Sequence, residues 1–552
     1  MGIILGDLRQ WDDCLAAAYF EAHRNLGLAL SKAGRLDDAV APMTRAAEIQ
    51  ANNPEIWTLL ASLHHGRLDL PAAIECRRRA MPLRSDMRAH SDLLATLHYS
   101  PDCTAEQLFE EHLAWARQHV EPVLRCAPSP TRAGGSHAMA VACEAGGEAD
   151  GGPHGFPKPQ AAESEAAVRA IVAAGDRDPA RPLRVGYLSG DFRNHPMPRF
   201  FFPLLRGHDR SRVTVFCYSD VPRPDAQTAR LRAHADGWRD ISGMDDDAVA
   251  AQIRADAIDV LVDLAGHLDN RRLLVFARRP AAVSVSYIGY PNTTGMRSMQ
   301  YRITDAFHDP RGPASALAAG APSLHPLYSE RLVHLPGCCW AYDSRDDPLP
   351  PDVNGLPAAA SGRVTFAIFN RLIKVTTQMA GLWSRILRLV PGSRLAVLDS
   401  AGAGGVSLRR SFARLGLEDA EIVAYPRGTR AEYLARYLEV DIALDTFPYA
   451  GMTTTCDAMW MGVPTVTLAG QTHVSRTGVS LLSAVGLHEL IASTPQEYAS
   501  IAAGLAADLS RLVALRAGLR ERMRSSPLLD GAGLARRLER AYQAMWAQRL
   551  AE

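Results

Sequence analysis

The chain has 552 residues, 47% hydrophobic and 22% charged, with 60 Lys plus Arg balancing 60 Asp plus Glu. That length suggests three or four domains at ~150 residues each, and the charge balance gives no global field for nucleic acid or an anionic membrane. No run approaches the ~20 apolar residues of a membrane-spanning helix, and the nine cysteines include no CxxC pair, which argues against a zinc or disulfide framework. The opening MGIILGDLRQWDD has too short an apolar run for a signal peptide. A cytoplasmic protein with reduced thiols is the expectation.

Residues 1–126 read as helical repeats with docking helices. The period is 34: Leu26 recurs as Leu60 and Leu94, Ala39 and Val40 as Ala73 and Ile74, Ala46 as Ala80. Gly27 recurs as the small residues Ala61 and Ala95, and Trp57 stands at the usual aromatic position. This is the tetratricopeptide pattern, in which small residues let paired antiparallel helices pack closely. Such an array offers a concave surface to a protein partner, or a structural cap on the next domain. His98-Tyr99-Ser100-Pro101, Glu111-His112 and Trp115 are the expected docking segment. Residues 127–182 are Ala/Gly/Pro/Ser-rich and read as a linker.

Residues 183–345 change to α/β. Strands are expected over 184–189, 213–218, 258–264 and 283–288, with helices over 245–255 and 270–278. Alternation of this kind means a parallel doubly wound sheet, with ligands at the C-terminal strand ends. Asp191–His195, Gly266-His267 and the GYPNTTG loop all follow strands. Residues 306–327 read as an inserted loop.

Residues 346–552 form a second α/β unit with closing helices. Its strands are expected over 364–369, 395–398, 422–425, 442–444 and 465–468. The segment from Asp445 to Gly470, DTFPYAGMTTTCDAMWMGVPTVTLAG, carries the most chemistry. Ala450-Gly451 turns the chain, and Thr453, Thr454 and Thr455 open a helix with Asp457 in its first turn. A helix N-terminus offers unpaired N–H groups and about half a positive charge, a ready phosphate site. Two such α/β units suit the GT-B plan, a pattern shared with other twin-Rossmann enzymes. Asp245-Asp246-Asp247 contains a DxD, which metal-dependent glycosyltransferases use. It precedes a helix, however, and reads as N-terminal helix charge.

GYLSGDFRNHP, IGYPNTTG followed by YRITD, FNRLIK, DTFPYAGMTTTCDAMWMGVP and GVSLLSAVGL, in this order behind the repeats, resemble the O-GlcNAc transferase family and more closely its SPINDLY branch. The resemblance covers 20–125 and 183–545. It implies α-helical tetratricopeptide repeats followed by α/β GT-B twin Rossmann-like domains. It also implies inverting, metal-independent transfer of a sugar from a nucleotide sugar to Ser/Thr of proteins, with no cofactor beyond that co-substrate. The first α/β domain then faces the acceptor and the second binds the donor.

Residue by residue, the resemblance puts Lys374 on the donor phosphates, Thr453 and Thr454 on the diphosphate, and Asp457 on the ribose. It puts Arg430 and Tyr433 on the base, with Asn370, Arg371, Gly451 and Met452 around the donor. His195 and Lys374 are the implied catalytic pair, with His195 taking the acceptor proton or orienting substrate. Asp263 and His267 are weaker acceptor-side or structural residues. Met452, Arg371 and Arg199 depart from the residues usual in the family. UDP-GlcNAc is the favoured donor, GDP-fucose the alternative, and a non-catalytic repeat scaffold the remaining rival.

Overall fold

The computed structural model describes residues 18–83, 87–125, 181–268, 272–310, 322–323, 325–343, 349–399, 406–418 and 420–551. All but the last two residues of the expected linker, and 311–321 and 324 of the expected inserted loop, lie outside them.

Helices α1 (18–32), α2 (Leu36–Ile49), α3 (Pro54–Gly66), α4 (Leu70–Ala80), α5 (Met87–Leu97), α6 (Ala105–His119) and α7 (Glu121–Arg125) form the first part. Their starts are written in the sequence. Asn53 accepts the Glu55 N–H before Pro54, Asp69 accepts the Ala72 N–H, and Thr104 with Gln107 forms a capping box. The small repeat residues Ala39, Ala46, Ala61 and Ala73 are buried, as are Leu60, Leu63, Leu94 and Leu97. The first unit departs from the register: Leu26 is 51% exposed. Among the described residues no helix covers that face of α1.

The first sheet contains β1 (Leu183–Ser189), β2 (Val213–Ser219), β3 (Gly237–Asp240), β4 (Val260–Asp263), β5 (Val283–Ser286), β6 (Tyr301–Asp305), β7 (Pro322–Ser323) and β8 (Arg331–Leu335). Its order is β3-β2-β1-β4-β5-β6-β8-β7, and every pairing is parallel except β7 with β8. The second contains β9 (Thr365–Ile368), β10 (Arg394–Asp399), β11 (Ile422–Pro426), β12 (Ile442–Leu444), β13 (Thr465–Leu468) and β14 (Ile491–Ala492). Its order is β11-β10-β9-β12-β13-β14, parallel throughout. In both sheets chain progression reverses beside the first strand, between β1 and β4 and between β9 and β12. These switch points are where doubly wound sheets bind ligands. Asp191 follows β1 and Asp263 ends β4; Asn370 and Asp445 follow β9 and β12.

The closing helix, Gly531–Ala551, returns to the first sheet and packs on helix Pro198–Gly207. There Glu539 accepts at 2.9 Å from His208 Nδ1, and the Tyr542 and Tyr187 hydroxyls are 3.3 Å apart. The two α/β domains also meet directly. The Ser480 hydroxyl donates to Asp305 at 2.7 Å, His473 Nδ1 lies 2.8 Å from Asp309 Oδ2, and the His308 and His473 rings stack at 4.3 Å.

The repeats reach both domains. His98 Nε2 and His112 Nε2 lie 3.0 and 2.7 Å from the Tyr290 hydroxyl of the first. Arg414 of the second donates to both oxygens of Asp37 at 3.0 Å. The GYPNTTG loop therefore lies under α6 rather than lining open space. Gly295 has φ +75°, and a Cβ there would meet His112 O at 2.3 Å. No single helix among the described residues is long and apolar enough to cross a membrane.

Candidate active site

Asp445 organises the second switch point. It follows the buried β12 and is itself buried. One oxygen accepts from the N–H groups of Gly451 at 2.6 Å and Thr446 at 2.9 Å and from Asn370 Nδ2 at 3.3 Å; the other accepts from the Thr467 hydroxyl at 2.8 Å. Burial pushes its carboxyl above the usual range, and these donors oppose the push. Asn370 in turn accepts from the Thr454 hydroxyl at 2.5 Å. Gly451 is required here by space: a Cβ would stand 2.5 Å from Thr454 Oγ1 and 2.9 Å from Asn370 Oδ1. Asp445, with no role assigned from sequence, thus fastens Asn370, Gly451 and Thr454 together. Its place as first residue of the DTFPYAG motif was the available signal.

Helix Thr453–Trp460 starts on this scaffold. Met452 is its N-cap and supplies no side-chain cap, so the helix's positive end has no side-chain oxygen of its own N-cap against it. Lys374 arrives beside it, donating to Ala450 O at 2.9 Å with its ammonium 4.3 Å from the Tyr449 ring centroid. Burial pushes the Lys374 amine down to about 8; Arg371 pushes the same way and Asp445 opposes. Lys374, Asn370, Gly451, Met452, Thr453 and Thr454 therefore converge on one loop, while Arg371 is exposed at its edge.

Arg430, Tyr433 and Asp457 form the second cluster. Arg430 donates to Asp457 through Nη1 at 2.6 Å and Nη2 at 2.5 Å, and its guanidinium lies 5.2 Å from the Tyr433 ring centroid. The Tyr342 hydroxyl also donates to Asp457 at 2.5 Å. The Tyr433 and Tyr437 hydroxyls are 2.8 Å apart, and Tyr437 donates to Thr454 O at 3.2 Å. Arg430 and Asp457, given separate tasks by resemblance, are here one ion pair between a half-buried guanidinium and a buried carboxylate. Tyr342 had no sequence signal, because it comes from the segment joining the two domains.

On the first sheet His195 is half-buried. Its Nδ1 accepts from the Met197 N–H at 3.3 Å and lies 3.7 Å from Asp191 Oδ2. Helix Pro198–Gly207 follows, and Arg199 O accepts from the Asp343 N–H at 2.6 Å. Asp343 neighbours Tyr342, so the His195 loop and the Asp457 cluster are tied through residues 342–343.

Asp263 and His267 lie deeper. Asp263 accepts from the Ala265 and Gly266 N–H groups at 3.1 and 2.8 Å, and burial raises its carboxyl to about 6. His267 is buried beneath the repeats, with Nε2 2.9 Å from Thr294 O and its ring 4.4 Å from Trp115. The structure gives His267 a docking position.

The DxD residues cap and pair. Asp245 accepts the Ala248 N–H, Asp246 pairs with Arg272 and Asp247 with Arg278. Among the described residues, Asp305, His308 and Cys339 have metal-ligand spacing. Asp305 Oδ2, however, already accepts from the Cys339 N–H at 2.9 Å and the Ser480 hydroxyl at 2.7 Å, and lies 3.1 Å from His308 Nδ1.

Two parallel sheets that share the 3-2-1-4-5-6 order and are tied through Tyr342–Asp457 and Asp305–Ser480 define the GT-B class, here behind a tetratricopeptide-like array. The chain belongs to glycosyl transferase family 41: residues 172–343 and 352–538 match that family's profile. It is 41% identical over 379 residues to an Arabidopsis thaliana protein named "Probable UDP-N-acetylglucosamine--peptide N-acetylglucosaminyltransferase SPINDLY", covering 67% of this chain and 40% of that protein. It is 34% identical over 375 residues to the A. thaliana protein of the same enzyme name designated SEC, covering 66% and 37%. The chain thus spans about two fifths of the length of these curated relatives. A solved structure of a lysine-to-methionine variant of Thermobaculum terrenum O-GlcNAc transferase superposes with a TM-score of 0.75 at 33% identity, covering 98% of this chain and 93% of that one.

Proposed function

We propose that the chain is a cytoplasmic protein O-glycosyltransferase that moves N-acetylglucosamine from UDP-GlcNAc to Ser/Thr hydroxyls, inverting and without a metal. One observation carries this reading. Lys374 and the start of helix Thr453–Trp460 converge on a loop that Asp445 pins to Asn370 and Thr454. In a single displacement the acceptor oxygen bonds to the anomeric carbon as the sugar–phosphate bond breaks. UDP leaves with added negative charge, which a placed ammonium and helix N-terminus stabilise. The acceptor proton passes to a base, for which His195 is the candidate. The names of the family relatives support a peptide acceptor and UDP-GlcNAc. The repeats, docked on both domains, are the proposed surface for acceptor proteins.

The test is incubation of the purified chain with UDP-GlcNAc or GDP-fucose and an acceptor protein extract, read by intact-mass change. UDP-GlcNAc is expected to give N-acetylhexosamine adducts that Lys374→Ala reduces at least a hundredfold with its fold unchanged. Transfer from GDP-fucose alone would replace the donor. No transfer from either, with neither nucleotide bound, would leave a repeat scaffold.

A further inference from the structure

Two consecutive residues immediately after α5 reach the α/β domains, and the His98 ring also lies edge-on to Tyr449 at 6.4 Å. His98 meets Tyr290 of the first, at 3.0 Å from its hydroxyl. Tyr99 meets Tyr449 of the second: the rings stack with centroids 4.7 Å apart and planes 20° apart. Tyr449 belongs to the loop between β12 and helix Thr453–Trp460. Its ring centroid is 4.3 Å from the Lys374 ammonium, and the next residue, Ala450, accepts the Lys374 hydrogen bond at 2.9 Å. A residue of the repeats therefore touches the aromatic platform of the donor-side lysine.

We propose that Tyr99 is a positioning residue for the donor site: by stacking on Tyr449 it fixes the ring and loop that hold Lys374, so that the repeat domain completes the diphosphate pocket. This rests on the reading of Lys374 as the cation on the donor diphosphate. An offset aromatic pair resists sliding of either ring, and a cation over an aromatic face gains most when water is kept away. The ring stacking meets the first condition, and Tyr99, Tyr449 and Lys374 are each half-buried, so the stack covers part of the ammonium's surroundings. The ionisable groups facing the amine are Asp445 and Arg371, with Tyr99 and Tyr449 beside it. His65 is held at about 4 by burial, with Arg77 and Arg371 pushing the same way, and is neutral near pH 7. Without the stack, water reaches Lys374 and the loop carrying Ala450 loses its outer support.

The experiment uses the full chain with Tyr99→Ala, Tyr99→Leu and Tyr99→Phe. Tyr99→Leu keeps apolar bulk should Tyr99→Ala not fold. Lys374 reactivity toward reductive methylation is followed against pH by peptide mass spectrometry without nucleotide, and UDP binding is measured by calorimetry. Tyr99→Ala or Tyr99→Leu is expected to move the Lys374 midpoint upward and to weaken UDP about tenfold, with donor KM rising more than kcat falls. Tyr99→Phe, which keeps the stack, is expected to match the parent in both. An unchanged Lys374 profile in a folded Tyr99→Ala or Tyr99→Leu chain would overturn the proposal. A shifted profile with unchanged UDP affinity would uphold the positioning of Lys374 and overturn its diphosphate role.

Discussion

The Arg430 guanidinium grips the Asp457 carboxylate with both arms, at 2.6 and 2.5 Å, and that carboxylate, which lies past the first turn of helix Thr453–Trp460 and not within it as the sequence suggested, also accepts the Tyr342 hydroxyl. Asp457 is 1% exposed. The fork compensates a carboxylate that water does not reach. Any ribose hydroxyl that reaches Asp457 must therefore share it with Arg430 or displace it. The pair also sits where the 341–343 segment meets the donor helix, so it couples domain placement to the donor pocket.

Arg430→Ala leaves a buried carboxylate with Tyr342 alone and is expected to cost about 3 kcal/mol. Thermal unfolding should show this as a drop of several degrees. Arg430→Met combined with Asp457→Leu removes both charges and should recover most of the loss. A single variant as stable as the parent would mean that the pair is solvated and energetically minor.

Lys374 gives a pH dependence whose sign is fixed. Burial holds its amine at about 8, below the ordinary 10.5, so above pH 8 the free protein loses the ammonium. UDP affinity is then expected to fall about tenfold per pH unit above 8. Lys374→Arg keeps a charge at all these pH values and should flatten the fall, even though its geometry weakens binding overall. Calorimetric UDP titrations from pH 6.5 to 9.5 check this. An affinity flat across that range in the parent would remove Lys374 from the diphosphate.

The buried histidines predict an acid-labile fold. His112 Nδ1 donates to Leu108 O at 2.6 Å and its Nε2 accepts from Tyr290, an arrangement of the neutral ring. Burial lowers His112 and His473 to about 4. In the unfolded chain both titrate near 6.5, so it binds more protons than the folded state between those values. Stability is therefore full above pH 6.5 and lost as pH falls from 6.5 toward 4, by on the order of 3 kcal/mol for His112, with His473 acting in the same direction against the opposing pull of Asp309. A falling melting temperature across pH 6.5–4 is expected, with a smaller slope in His473→Gln. An equal slope in that variant would place the acid lability elsewhere.

Much of this architecture was legible because hydrophobic runs and helix caps are local. The strands expected over 184–189, 213–218 and 422–425 lie within β1, β2 and β11. The sequence reading had no strand at β3 (GWRD), an edge strand with polar positions, and read YRITD of β6 only as a motif. Within the site, Lys374, Asn370, Gly451 and Thr454 were named by motif and do converge. Asp445, Tyr342 and Tyr99 were not assigned roles in the site. Beyond Asp445's local bonds to Thr446 and Gly451, their parts depend on partners distant in the chain, such as the 75 positions between Asn370 and Asp445, the 115 between Tyr342 and Asp457 and the 22 between Asp445 and Thr467; the Tyr99–Tyr449 stack spans the longest separation. Such pairings exist only once the domains have packed. His267 shows the reverse case: a polar residue after a strand that docking had already claimed.

His195 supplies the last prediction, through its tautomer. While Nδ1 accepts the Met197 N–H at 3.3 Å, the proton sits on Nε2 and the ring can only donate there. To accept a proton at Nε2, the ring must carry its hydrogen on Nδ1, which faces Asp191 Oδ2 at 3.7 Å. Shortening that distance selects the basic tautomer. Asp191→Asn removes the charge that favours it and is expected to lower kcat ten- to a hundredfold with donor KM unchanged. Asp191→Glu keeps the charge and should retain part of the rate. If Asp191→Asn turns over like the parent while His195→Ala does not, His195 orients the acceptor and another group takes its proton.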